Sequence, residues 1–389
     1  VSPRIVRIAA ISVAVVILLV LTYFLHNIGG GHRSINTAGE VAFVSDRLSP
    51  GYKHIWIMKS DGSNPVELTH GNENDTDPAF SPDGSQITFV SDRSGQPEID
   101  LMDADGKNQQ TITIGSDSKS NPQFSPDGTQ IGFLERGGLM TLDLSNNNQT
   151  SQQLPSLDSA TSTSTSKLAG VGQFPVSAFW WQPSSGAKPQ NGGIAAVQVS
   201  DTGDIQAVTF LPKIGGSPTP LIAGATVSCS WAPDGGSLAI AGLGIQGPDG
   251  KGYSGIFLFD RDGKSMRPPL PPEAQSSVGP HDIAFSADGT EFAYDIWAQP
   301  DIAHRRVLGL AVAPIDGSSR PRPLVKGTVS DIHWSPEGAP IVYLAPQKSD
   351  PSKHDIWAVD PSGNGTTNLT NGQGDNTEPI FSPALPKGQ

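Results

Sequence analysis

One cysteine, Cys229, stands in a chain of 389 residues, so no internal disulfide can form and the redox compartment is unreadable from cysteine usage. It lies in an apolar alternation, Val227-Ser-Cys-Ser-Trp231, as a small core residue would. Charge is sparse as well, with 16% of residues charged. Acids are missing from the first 39 residues, which hold Arg4, Arg7 and Arg33. Of the 25 Lys and Arg, 22 therefore remain beyond them against all 38 Asp and Glu, a balance of −16. A body this acidic repels phosphate backbones and excludes general nucleic-acid binding. Helical periodicity is absent, and the load of 44 Gly and 34 Pro fits short strands joined by tight turns.

Long hydrophobic runs are missing apart from one. Ile8–Leu25 contains only Ser12 and Thr22 as clearly polar members and would reach about 27 Å as a helix, close to a bilayer core. Small residues at a cleavage site are lacking, and Tyr23 and Phe24 suit an interfacial belt, so an uncleaved signal anchor is expected. No cysteine follows the run, which excludes lipoprotein processing. The basic residues before the run orient the N-terminus inward and the remainder outward. The division read from this is an anchor at 1–28, a tether at 29–38 around Gly29-Gly30-Gly31, and one repeat domain at 39–385. Val1 in place of Met implies either an alternative start codon or a longer chain with a cytoplasmic portion.

What is present is a phrase: Phe80-Ser-Pro-Asp-Gly84, Phe124-Ser-Pro-Asp-Gly128, Trp231-Ala-Pro-Asp-Gly235, Phe285-Ser-Ala-Asp-Gly289 and Trp334-Ser-Pro-Glu-Gly338. Degenerate copies stand at Trp181-Gln-Pro-Ser-Ser185 and Phe381-Ser-Pro-Ala384. The aromatics are spaced 44, 57, 50, 54, 49 and 47 residues apart, the period of a four-stranded propeller blade. Pro sets φ in each turn and Gly accepts a positive φ, so the phrase closes a hairpin. Strand-like phrases follow each copy, such as Gln86-Ile-Thr-Phe-Val90 and Ile99-Asp-Leu-Met102, with a second turn and a fourth strand ending as in Val66-Glu-Leu-Thr69.

Together with Phe43-Val-Ser-Asp-Arg47, Phe89-Val-Ser-Asp-Arg93 and Glu98-Ile-Asp-Leu-Met-Asp103, these phrases resemble the TolB-type or WD40-like (PD40) propeller repeat over residues 39–385. The resemblance implies an all-β fold. Residues 40–69 supply three strands without a first, and 377–382 supply a first without the rest. Joined, they make a seventh blade, with six or eight blades as the alternatives. TolB resembles six blades behind an α/β domain, so its envelope role is not carried over. The Ser/Thr-rich stretch 145–172 reads as a surface loop.

Chemistry is scarce. Gly252-Tyr-Ser254-Gly-Ile256 lacks the last glycine of a nucleophile elbow, and peptidase activity is not expected. Asp103-Ala-Asp-Gly106 begins like a calcium loop but lacks the later ligands and reads as a turn. No cofactor or resident metal is expected, a calcium ion at the channel mouth being the exception weighed. His281 and His333 fall near the starts of two adjacent inner strands and are the accessory candidates for a metal-dependent lyase or hydrolase of sugars.

Three residues before each motif aromatic stand Asp77, Asn121, Ala178, Ser228, Asp282, Asp331 and Glu378. In a propeller these gather at one mouth, with Asp282, Asp331, Glu378, Asp77 and Asn121 forming an acidic arc and Ala178 and Ser228 leaving the far side neutral. Two uses are open: a docking surface for a basic partner, or braces for local turns and for arginines such as Arg47 and Arg93. The function expected is a non-catalytic binding or scaffolding propeller outside a bacterial cytoplasmic membrane, held by its N-terminal helix. Its partner would be an envelope or extracellular protein. The alternatives are a channel-mouth enzyme and the sensor domain of a longer transmembrane protein.

Overall fold

The protein is described from a computed structural model, which covers residues 39–145, 151–153, 176–183, 193–199, 206–211, 219–224, 226–246, 252–260, 266–267, 282–298 and 306–384. The expected anchor, the tether and His281 lie outside these residues. Among the described residues no helix is long and apolar enough to cross a membrane.

Among the described residues, twenty-eight strands form seven antiparallel sheets of four. Blade 1 contains β1 (Glu40–Ser45), β2 (His54–Lys59) and β3 (Val66–Glu67). Blade 2 runs β4 (Asp75–Phe80), β5 (Gln86–Ser91), β6 (Glu98–Asp103) and β7 (Gln110–Thr111). Blade 3 runs β8 (Lys119–Phe124), β9 (Gln130–Glu135), β10 (Gly138–Asp143) and β11 (Ser151–Gln153). Blade 4 runs β12 (Val176–Trp181), β13 (Ile194–Val199), β14 (Gln206–Leu211) and β15 (Thr219–Gly224). Blade 5 runs β16 (Thr226–Trp231), β17 (Ser237–Gln246), β18 (Gly252–Asp260) and β19 (Met266–Arg267). Blade 6 runs β20 (Ile283–Phe285), β21 (Glu291–Ala298), β22 (Arg306–Pro314) and β23 (Arg322–Lys326). Blade 7 runs β24 (Ser330–Trp334), β25 (Ile341–Pro346), β26 (His354–Val359) and β27 (Thr366–Asn368).

The last strand, β28 (Asn376–Phe381), pairs with β1 and completes blade 1. The composite blade is therefore real, and the count is seven. The stretch from 145, read as a loop, contributes β11, which pairs with β10. An outer strand has one paired edge and needs little apolar side chain, so polar composition concealed it.

Each motif aromatic ends the first strand of its blade, and the turn after it explains the phrase. In Ser81-Pro-Asp-Gly84 the Gly84 N–H donates to Ser81 O at 2.8 Å, and the Ser81 hydroxyl donates to Asp83 Oδ1 at 2.6 Å. Ser81 Oγ also accepts the Gln86 N–H at 2.9 Å, and Gly84 takes φ +71. Asp or Ser at other turn positions would lose one of these bonds. The phrase Leu-Thr at the fourth strand has a parallel cause. Thr69, Thr113 and Thr370 accept the N–H groups of Ile55, Ile99 and Ile356 at 2.9–3.0 Å, closing the third strand where the short ladder ends.

The core lies between blades. Ile87 and Phe89 of β5 face Ile55 and Ile57 of blade 1, whereas Val90 joins Phe124, Ile131 and Phe133 of blade 3. Side chains of a strand alternate sides, so middle strands buried on both faces read as continuous apolar runs. The seventh interface, between blades 7 and 1, buries Val41, Phe43, Val342, Leu344 and Ile356, with Phe381 of the clasp against it.

Candidate functional site

Strand direction decides which residues share a face. With antiparallel neighbours, the start of each inner strand lies on the same side as the loop joining strands two and three. Asp77, Asn121, Ala178, Ser228, Asp282, Asp331 and Glu378 therefore stand at the same end of their inner strands.

Their local backbone is unusual. Asp77, Asn121, Asp331 and Glu378 have φ of +53, +52, +53 and +55. Each stands where the register between the first and second strands of its blade shifts, a β-bulge. Asn and Asp tolerate the left-handed region; a Glu there carries about 1 kcal/mol of strain. The conformation aims the N–H of the bulge residue at the preceding blade. Asp331 N–H donates to Asp282 Oδ2 at 2.7 Å, Asp77 N–H to Glu378 Oε2 at 2.5 Å, and Asn121 N–H to Asp77 Oδ2 at 2.8 Å. Gln123 continues the belt, donating to Asn121 Oδ1 at 3.2 Å and to Phe179 O of blade 4 at 2.8 Å. Asp282 N–H donates to Asp295 of its own blade at 2.9 Å.

The ring acids are thus braces between blades as well as charges at a mouth. Glu378 is crowded most. Burial and the charge of Asp77 push its carboxyl up to about 7. His333 Nε2 lies 2.9 Å from Asp331 Oδ1. Burial opposes its charged form, but the Asp331 hydrogen bond and the charges of Asp331 and Asp282 hold the imidazole above its ordinary value. Ala178 and Ser228 are half-buried and carry no charge.

The pairing of ring acids with Arg47 and Arg93, one of the uses left open by the sequence, is not the one these two side chains make. Arg93 reaches Asp75 at 3.1 Å and Asp100 at 3.2 Å, both in its own blade. Arg47 donates to Asn376 Oδ1 at 3.0 Å and lies over the rings of Phe43 and Trp56 at 4.9 and 4.8 Å. The carboxylates of Asp282, Glu378 and Asp77 instead accept N–H groups across blade boundaries, and that of Asp331 meets His333. Lys53, on the loop after β1, is the cation acting on Glu378, and sequence spacing carried no signal for it. Asp103–Gly106 is a turn: Gly106 N–H donates to Asp103 O at 2.9 Å, and Lys107 Nζ occupies Asp105 at 2.8 Å. Among the described residues no group of three or more His, Cys, Asp and Glu is arranged to hold a metal ion.

Residues 37–170 match the PD40 family, described as the TolB beta propeller domain. An uncharacterized peptidase of Bacillus subtilis (strain 168), YuxL, is 45% identical over 42 residues, which is 11% of this chain and 6% of that protein. Solved structures of the same form include TolB from Acinetobacter baumannii, at TM-score 0.53 and 17% identity, covering 90% of this chain and 67% of that one. Oligogalacturonate lyase from Vibrio parahaemolyticus aligns at TM-score 0.55 and 12% identity, covering 85% and 86% of the two chains. Pyrococcus horikoshii acylaminoacyl peptidase aligns at TM-score 0.55 and 12% identity, covering 85% of this chain and 51% of that one. At these identities the structural likeness speaks for the fold alone. Repeat phrase, sheet topology and structural likeness agree on the fold: the chain is a seven-bladed β-propeller, and its residues 37–170 match the TolB-type, PD40 family.

Proposed function

We propose that this propeller is a non-catalytic binding module whose acid-bearing mouth docks a basic surface of an envelope or extracellular protein. The segment 8–25 would hold it to the outer side of a bacterial cytoplasmic membrane, and an intact N-terminus recovered from the membrane fraction is the check on that anchor. One observation carries the reading: blades 6, 7, 1 and 2 in ring order each carry an acid at the same inner-strand position, where blades 4 and 5 have the uncharged Ala178 and Ser228. A one-sided field of this kind steers and orients a cationic partner, and its charges survive because each blade needs them as braces. Calcium, a hard cation suited to carboxylate oxygens, is the small competitor for the same place.

A second reading, a channel-mouth lyase or hydrolase of sugars, rests on His333 beside Asp331 and on the likeness in fold to oligogalacturonate lyase. A photocrosslinking residue placed in whole cells at Thr76, beside the arc, and at Ser177, in the neutral sector, separates the two. A stable protein adduct from position 76 and none from 177 is the expected result. Equal labelling from both positions, or none from either, would remove the docking face from consideration.

A further inference from the structure

The clasp strand closes the ring and is also its most crowded carboxyl site. β28 reaches blade 1 from the far end of the chain and is zipped onto β1, and Ser382 N–H just beyond it donates to Glu40 O at 2.9 Å. Its third residue, Glu378, spans the boundary to blade 2 through the Asp77 N–H. Three carboxyls are consecutive there: Asp331 from β24, Glu378, and Asp77 from β4. Asp77 already accepts the Asn121 N–H, and Asp331 is engaged by His333. Lys53 supplies the opposing charge. Other charges on the elements around β28 are occupied elsewhere. Asp75 is held by Arg93, His354 lies 3.4 Å from Asp375, Asp355 accepts the Thr370 hydroxyl, and Glu40 sits at the far end beside Ser382.

We propose that Glu378 is a proton-controlled latch, seating β28 on blade 1 and against blade 2 when its carboxyl is protonated and loosening the strand at the Glu378-Pro379 bulge when it ionises. A protonated carboxyl still accepts the Asp77 N–H through its carbonyl oxygen, so the cross-blade bond survives. An ionised one faces two neighbouring carboxylates from a poorly hydrated position. Because burial and Asp77 raise the carboxyl to about 7, the seated state is fully favoured below the ordinary carboxyl range and is lost as pH rises through neutrality. The bulge sets where loosening starts, since pairing with β1 is already interrupted between Thr377 and Ile380.

Amide hydrogen exchange between pH 5 and 8.5, corrected for intrinsic rates, tests this on the intact protein, with the β5–β6 ladder as internal reference. Opening of the β1–β28 ladder is expected to increase roughly tenfold to a hundredfold relative to that reference over the range. In Glu378→Gln the extra pH dependence should vanish. Parallel behaviour of the two ladders in the parent protein would overturn the latch, as would an unchanged slope in the variant. If the variant does not fold, the comparison within the parent decides alone.

Discussion

Deleting residues 375–389 is expected to cost the propeller about 3–5 kcal/mol of stability. Blade 1 loses its innermost strand, and with it the β1–β28 ladder, the bond from Ser382 N–H to Glu40 O and the cover that Phe381 gives the blade 7–blade 1 core. Arg47 loses its Asn376 acceptor, and Asp77 N–H loses Glu378. The exposed edge of β1 would then be free to pair between molecules. Denaturant melts of full-length and truncated propeller, read with a light-scattering check for aggregation, measure both effects. An unchanged midpoint would mean that the ring does not depend on its clasp.

Substituting Arg93 by Ala should be comparably severe, about 3–5 kcal/mol, whereas the same change at Arg47 should cost about 1–2 kcal/mol. Both arginines end the same Ser-Asp-Arg phrase, but the two blades neutralise them differently. Arg93 lies between Asp75 and Asp100, which are 0% and 1% exposed, and its removal strands two carboxylates. Arg47 is held by a neutral amide and two aromatic rings and meets the buried Asp355 only through its charge, so its loss takes no ion-pair partner at contact distance from a carboxylate. Burial already holds the Asp100 carboxyl above its ordinary value. A raised carboxyl favours the fold at low pH, so the Arg93→Ala deficit should shrink in mild acid as the stranded groups take up protons. Adding Asp75→Asn and Asp100→Asn should recover much of the loss. Equal costs at both arginines, or a deficit unchanged by pH and by the two amides, would show that packing rather than charge is being lost.

Some of this was legible in the residues and some was not, for identifiable reasons. Phe80-Ser-Pro-Asp-Gly84 is readable because each residue in it satisfies a separate demand of one turn. The clasp was readable from strand arithmetic, since three strands at 40–69 want a partner and 377–382 is unattached. The position of each inner strand followed from its aromatic, which puts seven residues scattered along the chain at equivalent places in their strands. The relay between them did not follow. It depends on left-handed bulges at Asp77, Asn121, Asp331 and Glu378, and nothing in apolar alternation marks a register shift. The nearest available signal is Pro78, Pro122 and Pro379, each directly after a bulge residue and unable to donate to a ladder. Pairing of the ring acids with Arg47 and Arg93 was one of two uses the sequence left open, since opposite charges attract on paper. The fold instead turns the carboxylates of Asp282, Glu378 and Asp77 toward a backbone N–H of the next blade, and that of Asp331 toward His333.

That arrangement also makes the arc testable without dismantling it. Asn in place of Asp282 or Asp331 removes a charge but keeps a carbonyl oxygen for the Asp331 N–H or for His333. Calorimetric titration of a Lys/Arg-rich peptide into the parent propeller and into the Asp282→Asn, Asp331→Asn double variant, with matched melting curves, addresses the docking face directly. The account predicts salt-sensitive binding by the parent that weakens about tenfold or more in the variant at equal stability. Equal affinity for both proteins, or no binding by the parent at low ionic strength, would contradict it.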